Sequence, residues 1–378
     1  MIAQEQFRSY FDVVGKRLFF NHAAYSPLSR PVVSAINEYF EHRQAGDPLS
    51  WSIAEAHMEG LRSNYAKLLG TTSERIAHMT NTVSGVNVLA NGLDWQRGDH
   101  ILLYRDEFPS NVMPFLNLRE QGVEVEFITA PDGRVTPELF QAALRPQTRL
   151  ISISSVQYLT GYRADLKALS ELCHSRDITF SVDAIQSVGV IPTDVISSGI
   201  DFMAVGGHKW MMSPLGTGFL YLTEELQSKL KLVHRGYMGH INPVDFGNFE
   251  QELSPHARRF ELGAFNASGM VGAEKATGLL LECGMDSIFR HVRSLINQFV
   301  WGLEELPYQI MYQFEEDEQS GICMFSHNDV SRNESIFQKL AESGVNISLR
   351  GEGLRFAPHY YNNLDEVDQF LNLLKRHA

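Results

Sequence analysis

Several side chains that can do chemistry stand where apolar runs of the sequence end. The runs are HILLYRDE, RLISISSV, ITFSVDA and DFMAVGG. The residues that close or follow them are Phe108, Gln157, Tyr158, Asp183, Gln186, His208 and Lys209. If the runs are parallel strands, these side chains converge on one crevice, because ligands bind beyond the carboxyl ends of such strands. An aromatic face, a phenol, a carboxylate and an amine then meet there.

A further segment, HMTNTVSGVNVLANGL (78–93), has the composition of an anion site. Hydroxyl, amide and glycine residues precede an apolar pattern of helical spacing, namely Thr80, Asn81, Thr82, Ser84 and Gly85. Hydroxyl groups and free backbone N–H groups at a helix N-terminus are suited to binding phosphate. The segment therefore predicts a phosphate site at the start of a helix.

Pyridoxal 5′-phosphate requires the parts that these segments supply, which are an amine for a Schiff base, a carboxylate for the pyridine nitrogen and a flat partner for the ring. We expect Lys209 to form the Schiff base and then to move the α-proton of an amino acid. Asp183 is predicted to pair with the pyridinium, and Phe108 to stack on the ring. Gln186 is predicted to donate to the phenolate oxygen, and His208 to contact the phosphate or hold the lysine loop.

Arg355, in GLRFAPHYYN, is a candidate for the substrate carboxylate, because a guanidinium binds a carboxylate through two hydrogen bonds. Each residue also has a purely structural interpretation. Asp183 is then a helix cap, Lys209 a solvated strand-end amine, and Arg355 the partner of Glu352. Phe108 and Tyr158 are then aromatics of the core or of a pocket wall, and His208 is a loop histidine whose hydrogen bonds are satisfied. Thr82 and Ser84 only cap a helix. These interpretations weaken because the residues occur together and in order on consecutive strand ends.

The elements that must position these residues follow from the same runs. Between about residues 75 and 225, short apolar runs precede amphipathic stretches of helical length, which is typical of βα units. Strands are predicted at 100–107, 123–130, 149–156, 178–184, 201–207 and 216–222, with crossover helices including 137–145 and 166–177. An α/β fold follows, with a mostly parallel sheet covered by helices on both faces. After about residue 250, helical segments at 268–305 and 333–343 and short strand-like runs predict a smaller α+β domain.

Composition limits the partners. The formal net charge is −13 and no basic patch interrupts it, which argues against nucleic acid and anionic lipid surfaces. No run approaches eighteen apolar residues, so no membrane span is predicted. Three separated cysteines without CxxC spacing predict neither disulfides nor a metal site. The first twenty residues do not resemble a secretory signal, and we expect a cytoplasmic protein.

The segments SVDAIQSVGVIPTDV and DFMAVGGHKWMMSPLGTGFLYL strongly resemble the lysine segment of class V aminotransferases. This fold-type I pyridoxal-phosphate group includes cysteine desulfurases, selenocysteine lyases, kynureninases and isopenicillin N epimerase-like proteins. FFNHAAYSPLSRPV resembles the family's N-terminal pocket strand, NTVSGVN its phosphate turn and EFPSNVMP its ring-stacking segment. RRFELGAFN resembles its subunit-bridging loop and GLRFAPHYYN its carboxylate-binding strand. The resemblance thus covers nearly the whole chain.

The resemblance implies a seven-stranded sheet in a large cofactor domain of residues 16–255, and a small domain of residues 1–15 and 256–378. It also implies a homodimer with the active site at the subunit interface. Lys209 and Asp183 fall on catalytic positions. The other cofactor-binding positions are Thr82, Val83, Ser84, Phe108, Tyr158, Gln186 and His208, and the substrate-binding positions are Asn21, Ala24 and Arg355.

Departures from the family pattern bear on the reaction. Desulfurases typically have His where this chain has Phe108, and they carry a nucleophilic Cys just before the carboxylate-binding strand. Here that stretch, NISLRGEGLRF, lacks Cys, and Cys323 in SGICMFS is predicted to be buried core. Gly206 and Ala264 stand where many relatives have Ser and Thr. Two hydroxyl contacts to the phosphate are thereby missing, each worth about 0.5–1.5 kcal/mol.

The sequence therefore predicts a pyridoxal-phosphate enzyme that acts on an amino acid, with class V aminotransferase-like transamination or lyase chemistry at Cα or Cβ. One alternative is a cysteine desulfurase or selenocysteine lyase, which releases alanine. A second is a non-catalytic protein that binds the cofactor, suggested by the missing phosphate contacts. A dinucleotide-dependent oxidoreductase is a third, but the chain lacks its glycine fingerprint.

Overall fold

The structure is a computed structural model that describes residues 4–377 of the 378-residue chain. Its α-helices are α1 (Gln4–Arg8), α2 (Arg30–Gln44), α3 (Ser50–Leu69), α4 (Thr82–Gly92), α5 (Met113–Leu116), α6 (Pro137–Ala143), α7 (Leu166–His174), α8 (Glu224–Lys229), α9 (Ala267–Cys283), α10 (Met285–Leu303), α11 (Asn333–Glu342) and α12 (Leu364–His377). Its strands are β1 (Leu18–Phe19), β2 (Ile76–Met79), β3 (His100–Tyr104), β4 (Glu124–Ile128), β5 (Thr148–Ser154), β6 (Thr179–Asp183), β7 (Phe202–Gly206), β8 (Gly218–Leu222), β9 (Tyr308–Ile310), β10 (Cys323–His327), β11 (Val345–Asn346), β12 (Ser348–Arg350) and β13 (Gly353–Phe356).

A seven-stranded sheet forms the centre of the molecule, in the order β2-β8-β7-β6-β5-β3-β4. Strands β3 to β7 are parallel, and β8 is antiparallel to both of its neighbours. The predicted α/β fold with a mostly parallel seven-stranded sheet is thus confirmed. The strand β2 was not predicted, because its four residues, IAHM, contain a histidine. That residue, His78, is buried, and its Nε2 is 2.9 Å from the carbonyl oxygen of Met58.

Both faces of this sheet are covered by other elements, as the continuous apolar sequences of its central strands predict. In β7, Met203 and Val205 pack into one hydrophobic core, whereas Phe202 and Ala204 pack into another on the opposite face. Successive side chains of a strand point to opposite faces, so a strand buried on both sides must be apolar throughout. All five residues of β7 are buried.

The helix pair α3 and α9 packs beside the sheet. Asn64 of α3 donates to the hydroxyl of Thr277 of α9 at 3.1 Å. Arg62, also on α3, forms a buried ion pair with Glu261 at 2.6 Å, and Glu261 accepts the backbone N–H of His78 at 2.8 Å. These bonds fix the RRFELGAFN segment against the first strand of the sheet.

The C-terminal part contains a four-stranded antiparallel sheet in the order β12-β13-β10-β9. Rings of Phe299 on α10 and Phe356 on β13 stack at 4.3 Å between centroids. The N-terminal residues join this part, since the ring of Phe11 stacks on Tyr361 at 4.1 Å. The division at residues 15 and 255 stays a prediction, and residues 1–3 and 378 of it lie outside the described residues.

None of the helices in residues 4–377 combines the length and hydropathy that crossing a bilayer requires.

Candidate active site

A cavity of about 340 Å³ lies at the carboxyl ends of the parallel strands. Residues from four strand ends and from the start of α4 line it together with Arg355 of β13. The predicted site residues on its wall are Ala24, Thr82, Val83, Phe108, Tyr158, Asp183, Gln186, His208, Lys209 and Arg355. Segments far apart in the sequence thus contribute to one concave site.

Two predicted site residues do not line this cavity. Asn21 is buried, donates to Oδ1 of Asn346 at 2.9 Å and accepts the hydroxyl of Ser348 at 2.6 Å. The Ser84 hydroxyl donates to Oδ1 of Asn81 at 2.9 Å, and the residue lines a separate cavity on the other side of α4. Neighbouring residues occupy the polar groups of both side chains, so direct ligand contacts by Asn21 and Ser84 are not supported by their location.

The amine of Lys209 and the carboxylate of Asp183 are buried together. Lys209 is 9% exposed and Asp183 is 1% exposed, so Lys209 is not the solvated amine of the structural interpretation. Burial lowers the pKa of Lys209 to about 8, against the attraction of Asp183. Burial also raises the pKa of Asp183 to about 7, against a 3.0 Å hydrogen bond from the backbone N–H of Ile185 to Oδ1. The second oxygen, Oδ2, is buried and has no hydrogen-bond partner within residues 4–377.

The side chain of Gln186 is held from two directions. Its Nε2 donates to the carbonyl oxygen of Ala23 at 3.0 Å, and its Oε1 accepts the indole N–H of Trp210 at 2.8 Å. One N–H of the amide is left over. The backbone carbonyl of His208 accepts the N–H of Ser26 at 2.9 Å. Burial, followed by repulsion from Lys209, lowers the pKa of His208, so its imidazole is neutral at pH 7.

The start of α4 has unsatisfied polar groups. Asn81 caps the helix, because its Oδ1 accepts the backbone N–H of Ser84 at 2.9 Å. The hydroxyl of Thr82 is buried, and no described residue forms a hydrogen bond with it. The Cβ of any residue placed at Gly206 would lie 3.3 Å from this hydroxyl oxygen, so the strand and the helix start approach closely. Free N–H groups, the helix dipole and a hydroxyl are groups that favour anion binding.

An aromatic wall and a guanidinium complete the cavity. The ring of Phe108 is 41% exposed, lies 5.4 Å from Nζ of Lys209 and meets the ring of Tyr158 edge-on at 5.3 Å. Arg355 is 1% exposed, and one of its terminal nitrogens donates to the carbonyl oxygen of Tyr158 at 3.0 Å. Burial, followed by repulsion from Arg350, lowers the pKa of Arg355 to about 9.

Two residues at or near the cavity, Glu107 and Arg350, were not predicted from the sequence. Glu107 is buried and accepts hydrogen bonds from the backbone N–H of Ser154 at 2.7 Å and from the amide of Gln157 at 2.8 Å. Burial raises its pKa, and its charge raises the pKa of Asp183. Arg350 lines the cavity beside Arg355. Both stand at the ends of apolar runs, in RDEF and NISLR, as the predicted site residues do.

Three polar atoms on the cavity wall are buried without a partner among residues 4–377, namely Thr82 Oγ1, Asp183 Oδ2 and Arg355 Nε. Burying an unpaired polar atom costs free energy, so such atoms mark places where a ligand is expected to bind. A hydroxyl at a helix start fits a phosphate, a carboxylate oxygen fits a protonated ring nitrogen, and a guanidinium N–H fits a carboxylate. The leftover groups therefore fit pyridoxal phosphate and an amino acid.

Comparisons with known proteins agree with this geometry. The family model described as aminotransferase class-V matches residues 18–369. A probable cysteine desulfurase of Methanothermobacter thermautotrophicus is 26% identical, over 96% of this chain and 95% of that protein. An uncharacterized aminotransferase of Bacillus subtilis, YcbU, is also 26% identical, with the same coverage of both chains.

Among solved structures, the apo cysteine desulfurase of Thermococcus onnurineus superposes with a TM-score of 0.88 at 25% identity, over 100% of this chain and 98% of that one. A match across nearly the whole length leaves no room for a different principal fold. The chain belongs to the aminotransferase class-V family, which confirms the predicted pyridoxal-phosphate-dependent enzyme of that family.

Proposed function

We propose that this enzyme carries out transamination or lyase chemistry at Cα or Cβ of an amino acid, with Lys209 as the residue that would hold pyridoxal phosphate as a Schiff base. The observation that carries the proposal is the buried pair of Lys209 and Asp183, set among three unpartnered polar atoms on one cavity wall. Bound pyridoxal phosphate supplies an electron sink for bond cleavage at the substrate's Cα. The protein's own residues must supply binding, orientation and proton transfer.

The phosphate end of the cofactor is assigned to the start of α4. The Thr82 hydroxyl, the free N–H groups of the first turn including Val83, and the nearby neutral His208 would hold it. Thr82 then supplies a hydroxyl that the Gly206 and Ala264 positions lack. The remaining amide N–H of Gln186 would donate to the ring's phenolate oxygen.

The ring is assigned to the space between Phe108 and Asp183. The exposed face of the phenyl ring offers a stacking surface, and Tyr158 supports that ring from its edge. Asp183 Oδ2 would accept a hydrogen bond from the pyridine nitrogen and so keep it protonated. Because Oδ1 already accepts the N–H of Ile185, the carboxylate is oriented before the ligand binds.

Lys209 is suited to both attack and proton transfer. An ordinary lysine is almost fully charged at pH 7, whereas a pKa of about 8 leaves a useful neutral fraction on Nζ. A neutral amine at this position is nucleophilic enough to hold the cofactor covalently, and it would accept and return the proton at the substrate's Cα. Arg355 would bind the α-carboxylate, and Ala24 would line the substrate side of the cavity.

A cysteine desulfurase is the second candidate, because several relatives carry that name. The strand register argues against a nucleophile at Cys323. On β10, Met324 lies opposite Arg355, whereas Cys323 lies opposite Phe356, so the thiol is on the other face of the sheet from Arg355. Burial raises the pKa of Cys323 to about 12, and Cys173 and Cys283 are also buried. None of these three thiols, which all belong to the described part of the chain, lines the cavity, so none is placed to carry a persulfide.

We also propose that the enzyme is a homodimer whose active site lies at the subunit interface. Large apolar side chains are exposed near the RRFELGAFN segment, namely Val233, Tyr237, Ile241, Val244, Phe246, Phe249 and Leu262. A partner subunit that covers them would remove apolar surface from water. Three free cysteines, all buried, fit the proposed cytoplasmic location.

The visible absorption spectrum of the purified protein tests the assignment of Lys209. We expect a band from bound pyridoxal phosphate that shifts on addition of particular amino acids and is lost in Lys209→Ala. Product analysis then separates a keto acid from alanine plus sulfur. A band that no amino acid shifts would favour a non-catalytic role, and a wild-type spectrum in the variant would refute the role of Lys209.

A further inference from the structure

A second arginine stands beside Arg355 on the same hairpin. The strands β12 and β13 are joined by a two-residue turn, and their register pairs Ser348 with Arg355 and Arg350 with Gly353. Residues 348 and 350 share one face of the hairpin, and so does Arg355. Arg350 and Arg355 are therefore diagonal neighbours, a separation that long side chains bridge. Both line the cavity that contains Lys209.

Neither guanidinium has an ion-pair partner among residues 4–377. Arg350 donates only to the backbone carbonyl oxygen of Leu349, at 3.0 Å. Arg355 donates only to the carbonyl oxygen of Tyr158, and its Nε is left over. The Glu352 carboxylate, although it lies in the connecting turn, is paired with neither. The hairpin thus presents two unneutralised positive charges to one cavity.

This arrangement is unfavourable in the free protein. Arg350, which is itself exposed, lowers the pKa of the buried Arg355 and that of the buried Lys209, because like charges repel. The α-carboxylate of an amino acid neutralises one guanidinium through a bidentate pair. A second guanidinium on the same face gains a partner if the ligand carries a second anion.

We propose that Arg350 binds a second anionic group of the substrate, so that the enzyme acts on an amino acid with an acidic side chain. The inference rests on the proposed function, since it assigns the substrate class of the same site. The cofactor's phosphate is not the anion meant here. The unpartnered hydroxyl belongs to helix α4, which follows β2 of the large sheet, whereas Arg350 is on the C-terminal sheet next to Arg355 and near Tyr158.

The test compares acids with their neutral amides. The cofactor-loaded enzyme is mixed with L-aspartate, L-glutamate, L-asparagine, L-glutamine and L-alanine, and the second-order rate constant of the spectral change is measured. We expect the rate constant of the better acidic amino acid to exceed that of its amide by about 10- to 100-fold. Only the acid has a side-chain carboxylate that can form an ion pair with Arg350. In Arg350→Met this ratio falls to near one, and in Arg350→Lys it is intermediate.

A binding measurement makes the test independent of turnover. Succinate and propionate differ by one carboxylate, and calorimetry gives their dissociation constants. We expect Arg350→Met to raise the dissociation constant of succinate about tenfold and that of propionate by much less. Glu352→Gln is the matched control, because it changes a charge in the same turn but lies outside the cavity wall. This control is expected to leave the ratio of the acid's rate constant to the amide's rate constant unchanged.

The outcomes separate this proposal from the proposed function. If amides react as fast as acids, or if Arg350→Met slows both equally, one carboxylate serves both guanidiniums and the proposal is wrong. If no amino acid shifts the band, the proposed function fails instead. The succinate measurement then still decides whether Arg350 binds a second carboxylate.

Discussion

Replacing Lys209 with methionine is expected to stabilise the cofactor-free protein. Lys209 is buried, and its pKa is lowered from the ordinary value of 10.5 to about 8. One pKa unit corresponds to about 1.36 kcal/mol, so holding the charged amine in the folded protein costs about 3 kcal/mol at pH 7. Methionine has a similar shape without the charge. Because Asp183 loses a favourable neighbour, we expect a net gain of about 2–3 kcal/mol.

The pH dependence distinguishes this cause from better packing. Between pH 8 and 10.5 the unfolded chain keeps the lysine proton that the folded protein has released, so wild-type stability from this group rises with pH. The penalty is therefore complete below about pH 8 and disappears by about pH 10.5. The advantage of Lys209→Met should shrink in step, to below about 1 kcal/mol at pH 10.

Urea denaturation of the cofactor-free proteins at pH 7, 8, 9 and 10 measures this difference. Lys167→Met is the control, since Lys167 is an exposed lysine on α7 and its replacement should change stability by less than about 0.5 kcal/mol at every pH. A Lys209→Met protein that is less stable than wild type at pH 7, or a gain that does not vary with pH, would refute the reasoning.

Other substitutions test other parts of the site. Arg355→Ala should raise KM for α-amino acids about 10- to 100-fold and affect an amine without the carboxylate far less; equal increases would remove Arg355 from substrate binding. Glu107→Gln should lower the free energy of unfolding by about 1–3 kcal/mol, because an amide N–H then faces hydrogen-bond donors, and wild-type stability in urea would contradict this. Gly206→Ala should weaken pyridoxal-phosphate binding in an absorbance titration, since its Cβ lies 3.3 Å from the hydroxyl oxygen of the first residue of α4; an unchanged Kd would dissociate that hydroxyl from the phosphate. Glu261→Leu should cost about 3–5 kcal/mol in thermal denaturation, as the buried Arg62 then keeps only the exposed Glu59 as ion-pair partner and the backbone N–H of His78 loses its acceptor; a stable variant would show that the buried ion pair is dispensable.

Local sequence predicted the elements that carry the site. Most of the strands from β3 to β8 were found because strands buried on both faces are largely apolar runs, which can be recognised without knowing their neighbours; the edge strand β4 is only partly buried. The short strand β2 and the helices α2 and α3 were not predicted. In β2, His78 interrupts the apolar pattern, and only contacts with α3 and Glu261 satisfy its polar groups.

The sequence by itself determined the residue types at the strand ends, their order, and hence the fold, the family and the cofactor. It did not determine how deeply each group is buried or which atoms stay unpaired, because burial and strand register depend on contacts between distant segments. Only the tertiary structure shows that the amine of Lys209, which follows a strand, is buried. It also shows that Ser84 and Asn21 do not line the cavity. Register alone placed Cys323 on the far face and Arg350 beside Arg355.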